Sequence, residues 1–353
     1  MKNKNLITLI SFLVLFPCLA KSEIKDTVSY KSTLHELDSL IKCNGKFSDA
    51  VFAVEDLYAQ ANLKKNLFNK AISDLGMFAA IENNFSKLPF TNKKADSSDF
   101  KINCTLFNIF SYKLITKFDS TLISHLPYSY DFDDPQGDHD WTNTFVTKLL
   151  VTHKGNCRSL TYLYKILADE LGAKCWLALA PNHIYIRNYS KQIGWYNTEL
   201  TSATFPTDAW IAATGYVNTD AIRSGVYMDT LSNQQSIGLC IMDLAQGYIK
   251  QTNNYTDSFV LKCCNVVLQY HSVNPEALLT KAEVLKRMYL KQKAENNPLA
   301  QDTYNEMEQT YITLVKLGYR EMPYKSYLKW LQSAKKDKEK YQNQRLKVTL
   351  KKH

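Results

Sequence analysis

The chain has 353 residues and a formal net charge of +9, from 43 Lys and Arg against 34 Asp and Glu. That length allows two or three packed units. The charge is local, because Lys2 and Lys4 sit at one end and residues 335–353 hold eight Lys or Arg against Asp337 and Glu339. The body between is close to neutral, which excludes a general nucleic-acid surface and reads the tail as a solvated helix end, with contact to anionic envelope material as the sharper alternative.

Residues 1–20 read as a targeting segment. Lys2 and Lys4 form a basic start, Leu6 to Phe16 an apolar run, and Pro17-Cys18-Leu19-Ala20 a small-residue exit with cleavage after Ala20. Lipidation at Cys18 is the alternative, although Phe16-Pro17 is a poor match to the small residues it requires. The apolar run is too short to span a bilayer. The expectation is an exported protein, periplasmic or secreted, with no transmembrane segment once the leader is removed.

Residues 21–105 are predicted to form an N-terminal helical segment. Leu34, Leu37, Leu40 and Ile41 make one stripe ending at Asn44-Gly45; Ser48 can cap a second helix that buries Val51, Val54 and Tyr58; Leu67, Ala71 and Leu75 carry a third to Gly76. These helices are expected to pack on the unit that follows. Pro89 to Asn103, rich in Lys, Asp and Ser, reads as a surface loop.

A core unit is expected over residues 106–235. Its first unusual stretch holds Asp131, Asp133, Asp134, Asp138, His139 and Asp140. The spacing does not match the twelve-residue calcium loop, so no metal is assigned and a mobile acidic loop is expected, with Trp141 and Asn143 shaping a pocket. Thr142 or Asn143 is expected to cap a helix carrying Phe145, Val146, Leu149 and Leu150. Next comes Gly155-Asn156-Cys157-Arg158-Ser159-Leu160. Leu160, Leu163, Tyr164, Leu167 and Leu171 recur at helical spacing up to Gly172, so Cys157 lies in the first turn of an amphipathic helix. There the partial positive charge and unpaired N–H groups lower a thiol's pKa and can hold an oxyanion.

Cys175 to Ala180 and Ile184 to Arg187 read as strands broken near Pro181, with His183 at the start of the second, and Trp195 to Leu200 as the next. A turn centred near residue 191 places 183 opposite 199, 185 opposite 197 and 187 opposite 195. That register sets Glu199 across from His183, with Asn197 one diagonal step away on the same face. Either could orient the imidazole of a Cys–His pair. Phe205-Pro206-Thr207 ends the strands and a loop region runs to about residue 235.

From residue 236 to 334 the pattern is helical pairs. Ile241, Leu244, Ala245 and Tyr248 fall at the spacing of a tetratricopeptide repeat; Leu261 to Tyr270, Ala277 to Lys291, Gln301 to Leu317 and Tyr324 to Ser333 continue the series, with Asn274-Pro275 as a repeat boundary. Such helices serve as a packing or partner surface.

Gly155-Asn156-Cys157-x-Ser159-Leu160, then His183 opening a strand, then Gly194-Trp195 with an acid four residues beyond the Trp, resembles the core of the transglutaminase-like superfamily, relatives of papain-type cysteine proteases. The longer Cys-x-Ser-Leu-x-x-Leu-Tyr form, with Gly172 following, resembles a bacterial branch in which this core precedes tetratricopeptide-like helices. The resemblance implies an α+β fold, a Cys-bearing helix packed on an antiparallel sheet, with N-terminal helices and a C-terminal repeat module. It implies Cys157 as nucleophile, His183 as base and Glu199 as orienting acid, where the family's usual residue is Asp and Asn197 competes. Asn156 and Trp195 join Trp141 and Asn143 as candidate pocket residues.

Taken singly, a Cys in an apolar helix is ordinarily a small core residue and a His at a strand start a structural one; it is their order and context that carry the reading. The chemistry expected is cleavage or transfer of an amide bond through a thioester, with no cofactor, on a peptide or protein of the cell envelope. The alternative is a non-catalytic envelope scaffold that binds a partner through the core and repeats. Removing the leader leaves Cys43, Cys104, Cys157, Cys175, Cys240, Cys263 and Cys264; an odd number leaves a thiol unpaired in an exported chain.

Overall fold

The computed structural model describes residues 6–8, 27–85, 94–118 and 121–336. The fold is α+β: among those residues thirteen helices accompany three small sheets. Of residues 1–26 only Leu6–Thr8 is described, an extended segment (β1) parallel to Thr121–His125. The tail beyond Lys336 lies outside the described residues.

Contacts divide the chain into two units. One contains Lys64–Gly215 and the described part of Met322–His353; the other contains the described part of Cys18–Leu63 and Tyr216–Glu321. The helices Thr27–Lys42 (α1) and Phe47–Tyr58 (α2) therefore group with the later helical pairs, not with the core on which they were expected to pack. Ser48 does not cap α2; Lys46 occupies that position with no side-chain bond.

In the first unit, Lys65–Phe85 (α3) runs straight through Gly76, where a stop was predicted. A methyl group at Gly76 would come within 3.1 Å of Glu170 Cγ, so this glycine marks a close helix–helix approach. The predicted loop up to Asn103 is also corrected, because Lys94–Ser111 is a helix (α4). Its polar first turns hide the stripe Phe100, Cys104 and Phe107, which packs with Tyr196 and Phe205 in one buried cluster.

Leu114–Phe118 (β2) pairs antiparallel with Thr121–His125 (β3), a hairpin without a counterpart among the predicted elements. Ser129–Tyr130 (β4) and Lys154–Gly155 (β5) form a short parallel ladder on either side of a 3-10 turn at Trp141–Thr144 and the helix Val146–Thr152 (α5). The predicted caps shift here: Asp140 caps the 3-10 turn, and Phe145 holds the cap position of α5 without a side-chain bond.

Cys157–Glu170 (α6) follows directly. Trp176–Ala180 (β6), His183–Ser190 (β7) and Gly194–Thr198 (β8) make an antiparallel sheet in that order, with α6 and α4 against β7. Pro181 and Asn182 close the β6–β7 hairpin, Asn182 in the left-handed region at φ 55° that Asn tolerates better than most residues. Asp208–Thr214 (α7) lies in a stretch predicted as loop.

The second unit holds α1, α2, Thr219–Arg223 (α8), Asn233–Thr252 (α9), Ser258–Tyr270 (α10), Pro275–Ala294 (α11) and Ala300–Lys316 (α12), with α9 to α12 each packed on the next. Tyr324–Lys336 (α13) was expected to continue this series. It belongs instead to the first unit.

Candidate active site

The start of α6 is built by a reciprocal cap. Asn156 Oδ1 accepts from the Arg158 and Ser159 N–H groups at 3.0 and 3.3 Å, and Ser159 Oγ accepts from the Asn156 N–H at 3.1 Å. Ser159 also donates to the Asn143 carbonyl at 2.8 Å. Only glycine fits just before this cap, because a methyl group at Gly155 would lie 2.3 Å from Ser159 Oγ. Cys157 is the first residue of the helix and is half-buried.

His183 opens β7 immediately after the Pro181-Asn182 turn, its side chain 6 % exposed. Its Nε2 lies 2.6 Å from Glu199 Oε2. The other Glu199 oxygen accepts from the Thr201 N–H at 2.8 Å, and the Glu199 backbone is pinned by a two-way bridge to Thr204. Nδ1 is buried without a partner of ordinary hydrogen-bond geometry, and it is the ring nitrogen left for Cys157. Burial alone would push the His183 pKa down; the Glu199 carboxylate and then the neighbouring Cys157 outweigh it and raise the value from 6.5 to about 10. Cys157 is thus among the groups acting on the ring, although no hydrogen bond of ordinary geometry joins the two.

The register that brings Glu199 to His183 differs from the predicted one. β7 and β8 pair 187 with 197, 189 with 195 and 190 with 194, so the turn is centred one residue later than expected. Continued, that register puts residue 199 opposite 185 and diagonal to 183 on the same face, from which a long Glu side chain still reaches the imidazole. Asn197 does not compete. It stands opposite Arg187, and its Nδ2 donates to the Pro206 carbonyl at 3.1 Å and to Asp208 Oδ1 at 2.7 Å.

The four candidate pocket residues have different settings. Trp195 is 47 % exposed at the far end of the hairpin, against Trp176 and Tyr189 and beneath Arg187. It lies roughly 20 Å along the sheet from His183, at about 3.3 Å per strand residue. Asn156 serves as the helix cap. Asn143 is buried, its Nδ2 on Asp131 Oδ2 and Asp134 Oδ2 at 3.2 and 3.1 Å. Trp141 opens the 3-10 turn and covers Gly137.

The acidic stretch is a hydrogen-bonded staple instead of a mobile loop. Asp134 accepts from the N–H groups of Asp138, His139 and Asp140, and Asp131 from those of Asp133 and Asp134 as well as from Lys154. Lys154, through its bond to Asp131, is the largest influence holding that carboxyl below its ordinary range against the opposing effect of burial. No group of three or more His, Cys, Asp or Glu among the described residues is placed to hold a metal ion.

Three aromatic residues around the pair carried no signal in the sequence. Trp330 of α13 meets the His183 ring edge-on, centroids 4.7 Å apart. Tyr327, one turn earlier and fully buried, has its hydroxyl 3.3 Å from that of Tyr130. Met322, just before α13, accepts from Asn182 Nδ2 at 3.4 Å, tying the helix to the turn that precedes His183.

The other cysteines differ in setting. Burial pushes the thiols of Cys104, Cys175 and Cys264 up to about 12, and Cys263 and Cys240 are likewise buried. Cys43 is exposed and Cys157 intermediate. A sulfur at a helix N-terminus, an imidazole whose pKa is raised and a carboxylate bonded to that imidazole are groups suited to nucleophilic attack on a carbonyl. Comparison with family models, curated proteins and solved structures finds no match to this chain.

Proposed function

We propose that the chain is an exported cysteine-dependent enzyme that cleaves or transfers amide bonds of a peptide or protein in the cell envelope, on a transglutaminase-like core. The observation that carries this reading is His183, with Nε2 on Glu199 at 2.6 Å, its buried Nδ1 without a hydrogen-bond partner, and Cys157 at the N-terminus of α6 among the groups that act on its charge. The Cys157 sulfur attacks the carbonyl carbon, His183 passes its proton to the leaving amine, and Glu199 fixes the ring and stabilises its charge. Water resolves the thioester in a hydrolase and an amine in a transferase.

The residues 1–20 direct export in this reading. No described helix is long and apolar enough to cross a membrane. The neighbour-to-neighbour packing of α9 to α12 supports a repeat-like module that binds a protein partner.

The test is iodoacetamide labelling of Cys157 in the folded protein, read by peptide mass so that exposed Cys43 is scored separately. An imidazolium beside a sulfur favours the reactive thiolate. Labelling is therefore expected to be fast near pH 6 and at least about tenfold slower in His183→Ala. Labelling that needs unfolding, or that rises only around pH 8.5 like an ordinary thiol, would sink the enzyme reading in favour of a scaffold.

A further inference from the structure

A carbonyl that becomes tetrahedral on a thiol needs preorganised donors where its oxygen turns negative. The start of α6 offers fewer than its position suggests. Asn156 Oδ1 takes the Arg158 and Ser159 N–H groups, and the Leu160 N–H bonds the Asn156 carbonyl. That leaves the Cys157 N–H as the first-turn donor for a substrate. A second donor has to come from outside this turn.

Tyr130 is brought to the nucleophile by backbone pairing. It stands opposite Gly155 in the β4–β5 ladder, and the next N–H, of Asp131, donates to the Gly155 carbonyl at 2.7 Å. Its hydroxyl can donate to the Pro135 carbonyl at 3.4 Å, which leaves its oxygen to accept from Tyr327 at 3.3 Å. Tyr327 in turn stacks on Trp330, centroids 6.0 Å apart, and Trp330 covers His183. Tyr327 thus links Tyr130, whose strand pairs with the one that leads into Cys157, to Trp330 on the His183 ring. Burial, the largest influence on each, raises both phenols above their ordinary range, so each keeps its proton at neutral pH and remains a donor.

We propose that Tyr327, from the C-terminal helix, is a catalytic residue whose hydroxyl gives the second hydrogen bond to the oxyanion formed at Cys157, with Tyr130 as the positioning residue that orients it. This rests on the acyl-transfer reading above. The phenol keeps its proton throughout. It exchanges the Tyr130 oxygen for the substrate oxygen as an acceptor and returns when the tetrahedral adduct collapses.

Two probes on the full chain separate this role from the others. Iodoacetamide reacts by displacement of iodide at carbon and forms no oxyanion. p-Nitrophenyl acetate is attacked at its carbonyl by the Cys157 sulfur; the adduct expels p-nitrophenolate and leaves an acetyl thioester, which water then hydrolyses to acetate and the free thiol. Tyr327→Phe is expected to slow acylation of Cys157 about 100-fold while leaving alkylation within about twofold of wild type. Tyr130→Phe is expected to produce a smaller loss with the same split. Unchanged acylation in Tyr327→Phe overturns the proposal, and so does a rise in both rates together, which would make α13 only a cover. A wild-type Cys157 inert to iodoacetamide near pH 6 would instead overturn the acyl-transfer reading itself.

Discussion

His183 is subject to opposing forces: burial disfavours its charged form, and the Glu199 carboxylate with Cys157 favours it more strongly. A folded-state pKa raised from 6.5 to about 10 means that the native protein holds a proton the unfolded chain has released. The resulting stability is complete below pH 6.5 and is lost as pH rises toward 10. Glu199→Gln keeps a hydrogen-bonding group but removes the charge. It should lower the unfolding free energy by about 1–3 kcal/mol near pH 6, with the gap to wild type closing toward pH 10 in urea titrations. A gap that widened with pH would mean that His183 is neutral in the native state. That Glu199 would lie on the His183 face was readable in advance, because strand residues two apart share a face. The choice between Glu199 and Asn197 was not, since it turns on a register that a single turn residue displaces.

At the scale of elements, the junction from β5 into α6 determines where the sulfur sits. Three groups meet there: the Asn156 cap, the Ser159 hydroxyl on the Asn143 carbonyl, and Gly155 with no room for a side chain. Gly155→Ala must move Ser159 Oγ from 2.3 Å, with Leu149 Cδ1 at 3.2 Å and the Asn143 carbonyl at 3.3 Å leaving little space to yield. The expected cost is about 1–3 kcal/mol, measured as a lower urea midpoint. A midpoint equal to wild type would show that the cap is not the tight element described. The helix itself was legible from its apolar spacing, whereas α4 was hidden because its first turns are polar and its buried stripe begins only at Phe100. The acidic staple also escaped notice: composition reveals carboxylates, but not the backbone N–H groups that satisfy them.

Across the whole molecule, the chain returns after residue 321 to the unit it left at residue 215. Tyr327, Trp330, Leu331 and Ala334 recur at helical spacing and are all buried, while Lys325 and Lys329 face outward. Trp330→Ala should destabilise this unit by about 3–5 kcal/mol, and Lys329→Ala should stay within about 0.5 kcal/mol of wild type, both followed by circular dichroism in urea. Equal midpoints for the two variants would show that α13 contributes no packing at the His183 ring.

Local patterns alone determined a good deal: a helix beginning at Cys157, a strand beginning at His183, an acid two strand positions beyond Asn197, and a run of paired helices after residue 235. These depend on nearest-neighbour chemistry, on caps, turn residues and the period of apolar side chains. Tertiary structure decided which units the helices join, which acceptor reaches the imidazole, and that the last helix packs at the His183 ring instead of extending the paired helices. An apolar stripe records that a face will be buried but carries no information about what buries it, because the hydrophobic effect is non-directional.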